Sequence, residues 1–325
     1  MPPSPPADFS ALTPEAVLDA VEHALALRLE PLAQTLPSYV NRVYGLRTEA
    51  GVALVAKFYR PGRWPVEALR EEQAFVEELA AAEIPVVMPL ALQDGGTLGF
   101  QDHIAFAVFP RCGGRPFEPV DAGSWERVGS LLGRLHAVGA RCDAPHRRDL
   151  HPDAATRDDL DFLASGDFMP PDARDRLEAL GDALLEATGP QFDAIAPIRL
   201  HGDFQRSNLL DHPVTGLLPI DFDDMVNGAA VQDLWLLLPD SPDCCRQEIE
   251  WLLRGYERFM PFDRATLDLI EPLRAMRMIH YLAWCARQYR DFNFPAAHEN
   301  WGTSAFWRAE LAELDEQLAR LRHAR

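Results

Sequence analysis

The chain has 325 residues, of which 47% are hydrophobic, so it can bury the cores of two lobes or two modest domains. Its formal net charge is −19 and it contains no run rich in lysine or arginine, which argues against nucleic acid and against anionic membranes as partners. The five cysteines are odd in number and include no Cys-x-x-Cys pair, so the sequence predicts neither a disulfide framework nor a zinc site.

The N-terminal region starts with a proline-rich stretch, residues 1–8, that we expect to be disordered. This stretch lacks the basic and apolar regions of a signal peptide, and no apolar run in the chain is long enough to span a bilayer. The predicted location is therefore the cytoplasm. Thr13 and Pro14 have the pattern of a helix cap followed by proline at the first helical position, which predicts a helix to about Ala26.

The next segment alternates between strand-like and helical patterns. Residues 39–47 and 52–59 predict a hairpin. Residues 65–82 place apolar side chains at three- and four-residue steps and predict a helix. Residues 84–91 and 104–109 return to an extended pattern. Together these elements predict a small α+β lobe with an antiparallel sheet and a helix.

The composition changes after Pro110. Residues 111–116 contain glycines and a proline and predict a linker. Beyond it helical periodicity dominates, and the candidate helices are 122–138, 171–187, 231–238, 244–259, 264–290 and 304–322. The predicted fold class is α+β and bilobal, with an N-terminal lobe of residues 1–110 and a larger, mostly helical C-terminal lobe of residues 111–325.

Short predicted strands at 198–200 and 217–220 flank the candidate catalytic stretch. Asp203 and Asn208 have the spacing of a His-x-Asp-x-x-x-x-Asn catalytic loop, with Gly202 after the histidine. In phosphoryl transfer, one carboxylate accepts the proton of the attacking hydroxyl, while an amide and a second carboxylate hold Mg²⁺ against the phosphates. Asp203 is thus the candidate base and Asn208 a candidate metal ligand. The alternative is that both side chains only form Asx turns.

Asp221 follows the second short strand and is the candidate carboxylate ligand of Mg²⁺. Asp223 and Asp224 come directly after it. Carboxylates so close together repel each other unless a cation offsets their charge, which favours a bound metal. We interpret Asp223 and Asp224 themselves as turn formers or helix caps.

Lys57 lies in the middle of an apolar predicted strand, where an unpaired charge is costly. In the kinase pattern, such a lysine contacts the α- and β-phosphates and pairs with a helix glutamate. Glu72, on the apolar face of the following helix, is the predicted partner, with Glu71 as the alternative. The competing interpretation is that Lys57 reaches solvent from an edge strand.

A glycine-rich phosphate loop is missing from the sequence: there is neither a Gly-x-Gly-x-x-Gly nor a Walker motif. Ser38, before the lysine strand, could donate its hydroxyl and backbone N–H to a phosphate, and Arg42 could also reach one. An ordinary turn is the alternative. Farther along, Asp233 either bonds the catalytic-loop backbone or caps its own helix, and we interpret Tyr281 and Trp284 as core residues.

As a group, these motifs resemble the phosphotransferase superfamily of aminoglycoside, choline and homoserine kinases, and more closely the bacterial stress response kinase A family. The matching phrases cover nearly the whole chain: residues 38–44, 57–61, 107–115, 201–203, 230–235 and 271–277. The resemblance implies a protein-kinase-like fold with ATP bound between a nucleotide-binding lobe, 1–110, and a catalytic, acceptor-binding lobe, 111–325. It also implies serine/threonine protein phosphorylation, including of the chain itself, in cytoplasmic stress protection.

Carried over to this sequence, the resemblance implies that Asp203 is the proton acceptor and that Asn208 and Asp221 are ligands of Mg²⁺. It also implies that Asp221 is a catalytic residue and that Ser38 contacts ATP. The expected partners are ATP and a protein with a serine or threonine acceptor, and the expected state is a monomer. A kinase of a small hydroxylated molecule remains open, since it needs the same base and metal ligands. An inactive nucleotide-binding module and a metal-dependent phosphoesterase are more distant alternatives.

Overall fold

The structure is a computed structural model that describes residues 9–291 and 294–323. The expected disorder of residues 1–8 lies outside the described residues. The N-terminal part consists of α1 (Pro14–Leu25), β1 (Gln34–Leu36), β2 (Arg42–Arg47), β3 (Ala53–Phe58), α2 (Val66–Ala81), β4 (Gly99–Gln101) and β5 (Ile104–Pro110). The strands form an antiparallel sheet in the order β1-β2-β3-β5-β4.

The central strand β3 separates the core from the cleft. Side chains alternate between the two faces of a strand, and Leu54, Ala56 and Phe58 pack into a core with α1. Val55 and Lys57 point to the other face and line a cleft. The strand periodicity therefore delivers Lys57 to the cleft.

The extended segment predicted at 84–91 forms no strand in the described structure. Pro85 and Pro89 lack the N–H groups that a strand ladder needs, and β5 pairs with β4 instead. The strand predicted at 39–47 begins only at Arg42, because the preceding residues form a turn beside the cleft.

The C-terminal part is mostly helical. Its elements are β6 (Arg115–Pro116), α3 (Ala122–Gly139), α4 (Arg157–Ser165), α5 (Pro171–Phe192), β7 (Ile198–Leu200), β8 (Leu209–His212), β9 (Gly216–Pro219), β10 (Val226–Gly228), α6 (Val231–Trp235), α7 (Arg246–Tyr256), α8 (Ile270–Gln288), α9 (Phe294–Ala297) and α10 (Ser304–His323). The predicted helix 264–290 is divided, because a 3-10 segment at Arg264–Leu269 precedes α8. Within the described ranges, no helix has both the length and the apolarity needed to cross a membrane.

Two apolar cores fix the elements around the cleft. One joins α2 to α3, α6 and α7, and the other joins α4, α5, α8 and α10. Helices α3 and α7 can approach closely because residue 129 is a glycine. A Cβ at this position would stand 1.9 Å from the carbonyl oxygen of Leu252. The catalytic stretch follows β7 and is anchored in the first core by Phe204, and the segment after β9 is anchored there by Phe222.

Candidate active site

Lys57 lies in the cleft as a paired, buried cation. Its Nζ donates a hydrogen bond to Oδ1 of Asp221 at 2.8 Å and lies 3.6 Å from Oδ1 of Asp223. Burial works against the ammonium charge, but the two carboxylates outweigh it and raise the pKa of Lys57 well above its ordinary value. Strand β3 lies between β2 and β5, so the edge-strand interpretation of Lys57 is wrong.

Lys57 is also the only lysine among the 31 lysine and arginine residues of the chain. Every other lysine or arginine position in the chain is arginine. A lysine ammonium is a compact point charge, whereas an arginine guanidinium is a planar fork. The single lysine is therefore a sequence signal for this site that motif matching does not use.

Glu72 is buried on α2, but its ion pair is formed with Arg147 rather than with Lys57. Glu72 Oε2 accepts a hydrogen bond from Nη2 of Arg147 at 2.9 Å. Arg147, from the segment between α3 and α4, also donates to the backbone carbonyl of Asp223 at 2.7 Å. The predicted Lys57–Glu72 ion pair is not formed among the described residues, because the aspartates hold the lysine. Glu71, the alternative partner, contacts an exposed loop histidine.

The backbone conformation at position 202 explains why a glycine follows the histidine of the catalytic loop. The φ of Gly202 is +84°, in the left-handed region, and a Cβ there would stand 1.9 Å from the carbonyl oxygen of Asp224. Any larger residue would force this backbone away from the segment that contains Asp221 and Asp224. The glycine thus allows the two candidate catalytic segments to touch.

Asp233 fixes the backbone of the catalytic loop. It is 0% exposed, and its carboxylate accepts the N–H groups of His201 at 2.8 Å and Gly202 at 2.9 Å. His136 also contacts this carboxylate at 3.2 Å. The predicted bond between Asp233 and the loop backbone is therefore confirmed.

Asp203 is held from two sides. Its Oδ1 accepts a hydrogen bond from Nη2 of Arg277 at 3.0 Å. Its Oδ2 accepts from Nε2 of Gln205 at 2.9 Å and from Nδ2 of Asn208 at 3.0 Å. Arg277 comes from α8, so the helical core positions the candidate base as much as its own loop does.

The candidate metal ligands are brought together by Ile220, directly after β9, which contacts both Asn208 and His201. The backbone N–H of Ile220 donates to the carbonyl of Asn208 at 3.0 Å, and Nε2 of His201 lies 3.0 Å from the carbonyl of Ile220. The His201 ring packs on Phe222 with centroids 4.5 Å apart. Asp221 itself has a left-handed backbone, with φ 64°, and its side chain is half-exposed in the cleft.

A divalent cation fits the oxygen donors of this site. Asn208 uses its Nδ2 on the carbonyl and carboxylate of Asp203, which leaves its Oδ1 as a possible ligand. The carboxylate of Asp221 supplies a second oxygen, and Mg²⁺ prefers such ligands while keeping water or phosphate oxygens as the others. Among the residues described, no group of three His, Cys, Asp or Glu side chains could hold a metal unaided.

Asp223 differs from its interpretation as a turn former or cap. It is only 3% exposed and contacts Lys57, Arg63 and Nδ2 of Asn41. Burial opposes its charge, yet these cations and the hydrogen bond from Asn41 lower the pKa of Asp223 to about 2. Asp224 pairs with Arg63, so both carboxylates anchor the loop after β3 to the C-terminal part.

The cleft has a volume of about 1600 Å³, and Ser38 lies exposed in the turn that borders it. Next to Ser38, the ring of Tyr39 contacts that of Trp284 across the cleft, with centroids 6.0 Å apart. Arg42 lies against the Phe9 ring instead of entering the cleft. Apolar side chains line the cleft from both parts of the chain: Val43, Val55 and Phe109 from the sheet, and Leu210 and Ile220 from the C-terminal part.

Another wall of the cleft is a face of α8. Arg277, His280, Tyr281, Trp284 and Arg287 line the cleft at steps of three and four residues along the helix. The interpretation of Tyr281 and Trp284 as core residues is therefore wrong. Their helical spacing is the same in a core and in a cleft wall, and only the interleaved charged residues distinguish the two.

Known proteins match most of the chain in sequence. The model of a family described as "Phosphotransferase enzyme family" matches residues 33–270. Stress response kinase A of Salmonella choleraesuis (strain SC-B67) is 36% identical over 310 residues, which is 95% of this chain and 93% of that protein. A Salmonella typhimurium (strain LT2) protein named serine/threonine protein kinase RdoA is also 36% identical, with the same coverage. Stress response kinase A of Escherichia coli (strain K12) is 35% identical over 311 residues, 95% of this chain and 93% of that protein.

Solved structures share the fold. Amicoumacin kinase hAmiN, in complex with AMP-PNP, Ca²⁺ and Ami, has a TM-score of 0.74 at 18% identity and covers 95% of this chain and 94% of its own. Spectinomycin phosphotransferase APH(9)-Ia, with ADP and spectinomycin, has a TM-score of 0.66 at 12% identity and covers 95% and 98%. With the family match and the near-complete coverage by relatives, the chain belongs to the phosphotransferase enzyme family and, within it, to the stress response kinase A group.

Proposed function

We propose that the chain is an ATP- and Mg²⁺-dependent serine/threonine protein kinase that phosphorylates other proteins and itself in a stress response. The observation that carries this proposal is the meeting of Lys57, Asp221, Asp203 and Asn208 in one cleft. The names of the relatives at 36% identity support a protein acceptor and a stress response.

In this proposal, residues 1–110 bind the nucleotide, with its base against the apolar side chains of the sheet that line the cleft. Lys57 contacts the phosphates, and Ser38 contacts them from the turn before β2. Glu72 makes no ion pair with Lys57, but its charge adds to the field that keeps the lysine protonated. A charged lysine at this depth offsets phosphate charge more strongly than an exposed one, because less water screens it.

Asn208 and Asp221 would hold Mg²⁺ through their side-chain oxygens. When bound, the ion supplies positive charge against the phosphates, which favours their transfer. The carboxylate of Asp221 also accepts a hydrogen bond from Nζ of Lys57 at 2.8 Å.

Residues 111–325 supply the chemistry and bind the acceptor. The acceptor hydroxyl oxygen attacks the γ-phosphorus, the bond from that phosphorus to the β–γ bridging oxygen breaks, and ADP leaves. The hydroxyl proton passes to the carboxylate of Asp203. Asn208 and Arg277 hold that carboxylate in place, and such positioning supplies much of the rate in phosphoryl transfer.

A kinase of a small hydroxylated molecule is the second candidate. The Tyr39–Trp284 contact bridges the cleft, which narrows the opening through which a polypeptide would enter. Both candidates use the same base and metal ligands, so the acceptor must be identified directly.

The test is incubation of the purified protein with γ-labelled ATP and Mg²⁺, alone and with a cell extract. The proposal expects label on serine or threonine of protein, including the chain itself, and none with Asp203→Asn. Asp211→Asn is the matched control, because Asp211 lies on β8 and pairs with an exposed arginine. Label that appears only on small molecules would replace the proposal with the second candidate.

A further inference from the structure

We infer that the acceptor carries a negative group, carboxylate or phosphate, close to the hydroxyl that is phosphorylated, and that an acidic peptide segment is the substrate class. This inference rests on the proposed kinase activity and specifies its acceptor. The permanently charged side chains of the α8 wall are two arginines, Arg277 and Arg287, although the whole chain carries −19.

Arg277 is the cation nearest to the chemistry. One N–H of its guanidinium bonds Asp203, and this is its one side-chain hydrogen bond among the described residues. A guanidinium has five N–H donors, and the Arg277 side chain is 41% exposed. It can therefore hold the base and bind an anionic group of the acceptor at the same time.

A second set of basic side chains stands farther along the same wall. Arg287 and His280 contact Asp159, at 2.7 and 2.8 Å, and Arg148 lies 3.3 Å from it. Asp159 is 2% exposed, whereas Arg287 and His280 are more than a third exposed. The carboxylate thus lies behind the guanidinium and imidazole groups, and a ligand in the cleft meets the donors first.

The carboxylates on this side do not form a cation site. Asp159 forms an ion pair with Arg287, and Asp291 forms one with Arg60. Asp203 is bonded to Arg277. Asp158 is the exposed acidic residue of α4 that lines the cleft. A cationic acceptor would therefore meet mainly arginine at the distance where its charge matters.

The positions of Arg277 and Arg287 determine where the negative group of the acceptor must lie. Arg277 touches the base itself, so its ligand lies within one or two residues of the acceptor serine, given that neighbouring Cα atoms are 3.8 Å apart. The aromatic pair Tyr281 and Trp284, with centroids 6.2 Å apart, offers a surface for the rest of the peptide. Arg287 follows one helical step beyond the aromatic pair and could bind a second acidic residue.

The experiment compares serine peptides that are identical except for the flanking residues, which are aspartate, phosphoserine, alanine or lysine. We expect kcat/KM for the aspartate or phosphoserine peptide to exceed that for the lysine peptide by at least about tenfold, the scale of a hydrogen bond to a charged group. Arg277→Gln should remove most of this ratio, and Arg277→Lys should keep part of it. The ratio between peptides cancels the general loss from a less well-held Asp203, and Arg287→Gln gives a second variant if Arg277→Gln folds poorly.

Equal rates for all peptides, or a preference for lysine, would overturn the inference while leaving the kinase activity intact. If no peptide is phosphorylated, the proposed protein kinase fails, and glycerate against choline then tests the charge separately. Faster transfer to the anionic glycerate supports an anionic acceptor of the small-molecule kind, and faster transfer to choline contradicts it.

Discussion

Nζ of Lys57 lies 2.8 Å from Oδ1 of Asp221, so an ion pair joins strand β3 of the sheet to the end of β9 in the helical part. Both groups also belong to the set that would meet the phosphates and the metal. The two halves of the site are thus connected by the same side chains that would bind the nucleotide.

Replacing Lys57 with arginine should abolish most phosphoryl transfer although the charge is retained. The planar fork cannot occupy the buried space between Asp221 and Asp223 as a point charge does, and displacement of the phosphates by about 1 Å can cost about 100-fold in rate. Steady-state turnover measures the loss. Arg127→Lys, at an exposed ion pair, is the control and should leave the rate unchanged.

Asp203→Asn and Asp221→Asn should separate chemistry from nucleotide binding. Asp203→Asn should lower turnover by about 100-fold or more, the usual contribution of a general base, while the ATP affinity changes by less than about tenfold. Asp221→Asn should weaken both, since it removes a metal ligand. Calorimetric titration with Mg²⁺ and a non-hydrolysable ATP analogue measures the affinities, and equal nucleotide binding by both variants would contradict the division of roles.

Gly202→Ala should destabilise the fold through two effects. The left-handed backbone costs about 1–2 kcal/mol for a residue with a Cβ, and the clash with the carbonyl of Asp224 adds about 1–3 kcal/mol. Gly216→Ala is a matched control, because Gly216 has φ +81° but no atom within 4 Å of the added Cβ. Urea unfolding should give the larger loss for Gly202→Ala, and equal losses would show that the clash is relieved.

The stability of the protein should depend on Asp159 in acid. Burial raises the pKa of Asp159, but the hydrogen bond from His280 and the charges of His280, Arg148 and Arg287 outweigh it and lower the pKa from 3.8 to about 2. A lowered folded-state pKa adds stability above the unfolded-state value, here about 2 kcal/mol, and this stability is lost as pH falls from about 4 to about 2.

Asp159→Asn should therefore unfold more easily than the parent at pH 7, by about 2 kcal/mol. The difference should shrink as the pH falls from 4 to 2. Chemical denaturation at a series of pH values measures it. A constant difference across this range would mean that the loss comes from packing and not from the charge.

The elements near the motifs could be predicted from the sequence, because short-range signals define them. The strand of Lys57, the helix of Glu72 and the contact of Asp233 with the catalytic loop all follow from periodicity or motif spacing. The predicted strand at 84–91 was wrong because Pro85 and Pro89 outweigh its apolar pattern.

Long-range partners could not be predicted in this way. Arg147 takes Glu72 from a segment 75 residues away, and no local pattern marks it. Asp223 looks like a turn residue until Lys57, Arg63 and Asn41 converge on it. Packing between distant parts of the chain decides these pairs.

The most direct measurement uses the single lysine of the chain. An acyl phosphate of ATP transfers its acyl group to a nearby amine: the ammonium of Lys57 first loses a proton to water, and its nitrogen then forms an amide with the acyl carbon. The bond from that carbon to the phosphate oxygen breaks, and ATP leaves. Because Lys57 is the only lysine, mass spectrometry of the protein and of its proteolytic fragments can assign an adduct either to Lys57 or to the N-terminal amine.

We expect one adduct at Lys57, which excess ATP with Mg²⁺ prevents and which Asp221→Asn weakens. An adduct at the N-terminal amine alone, or labelling of Lys57 that ATP with Mg²⁺ does not reduce, would contradict a nucleotide site between Lys57 and Asp221.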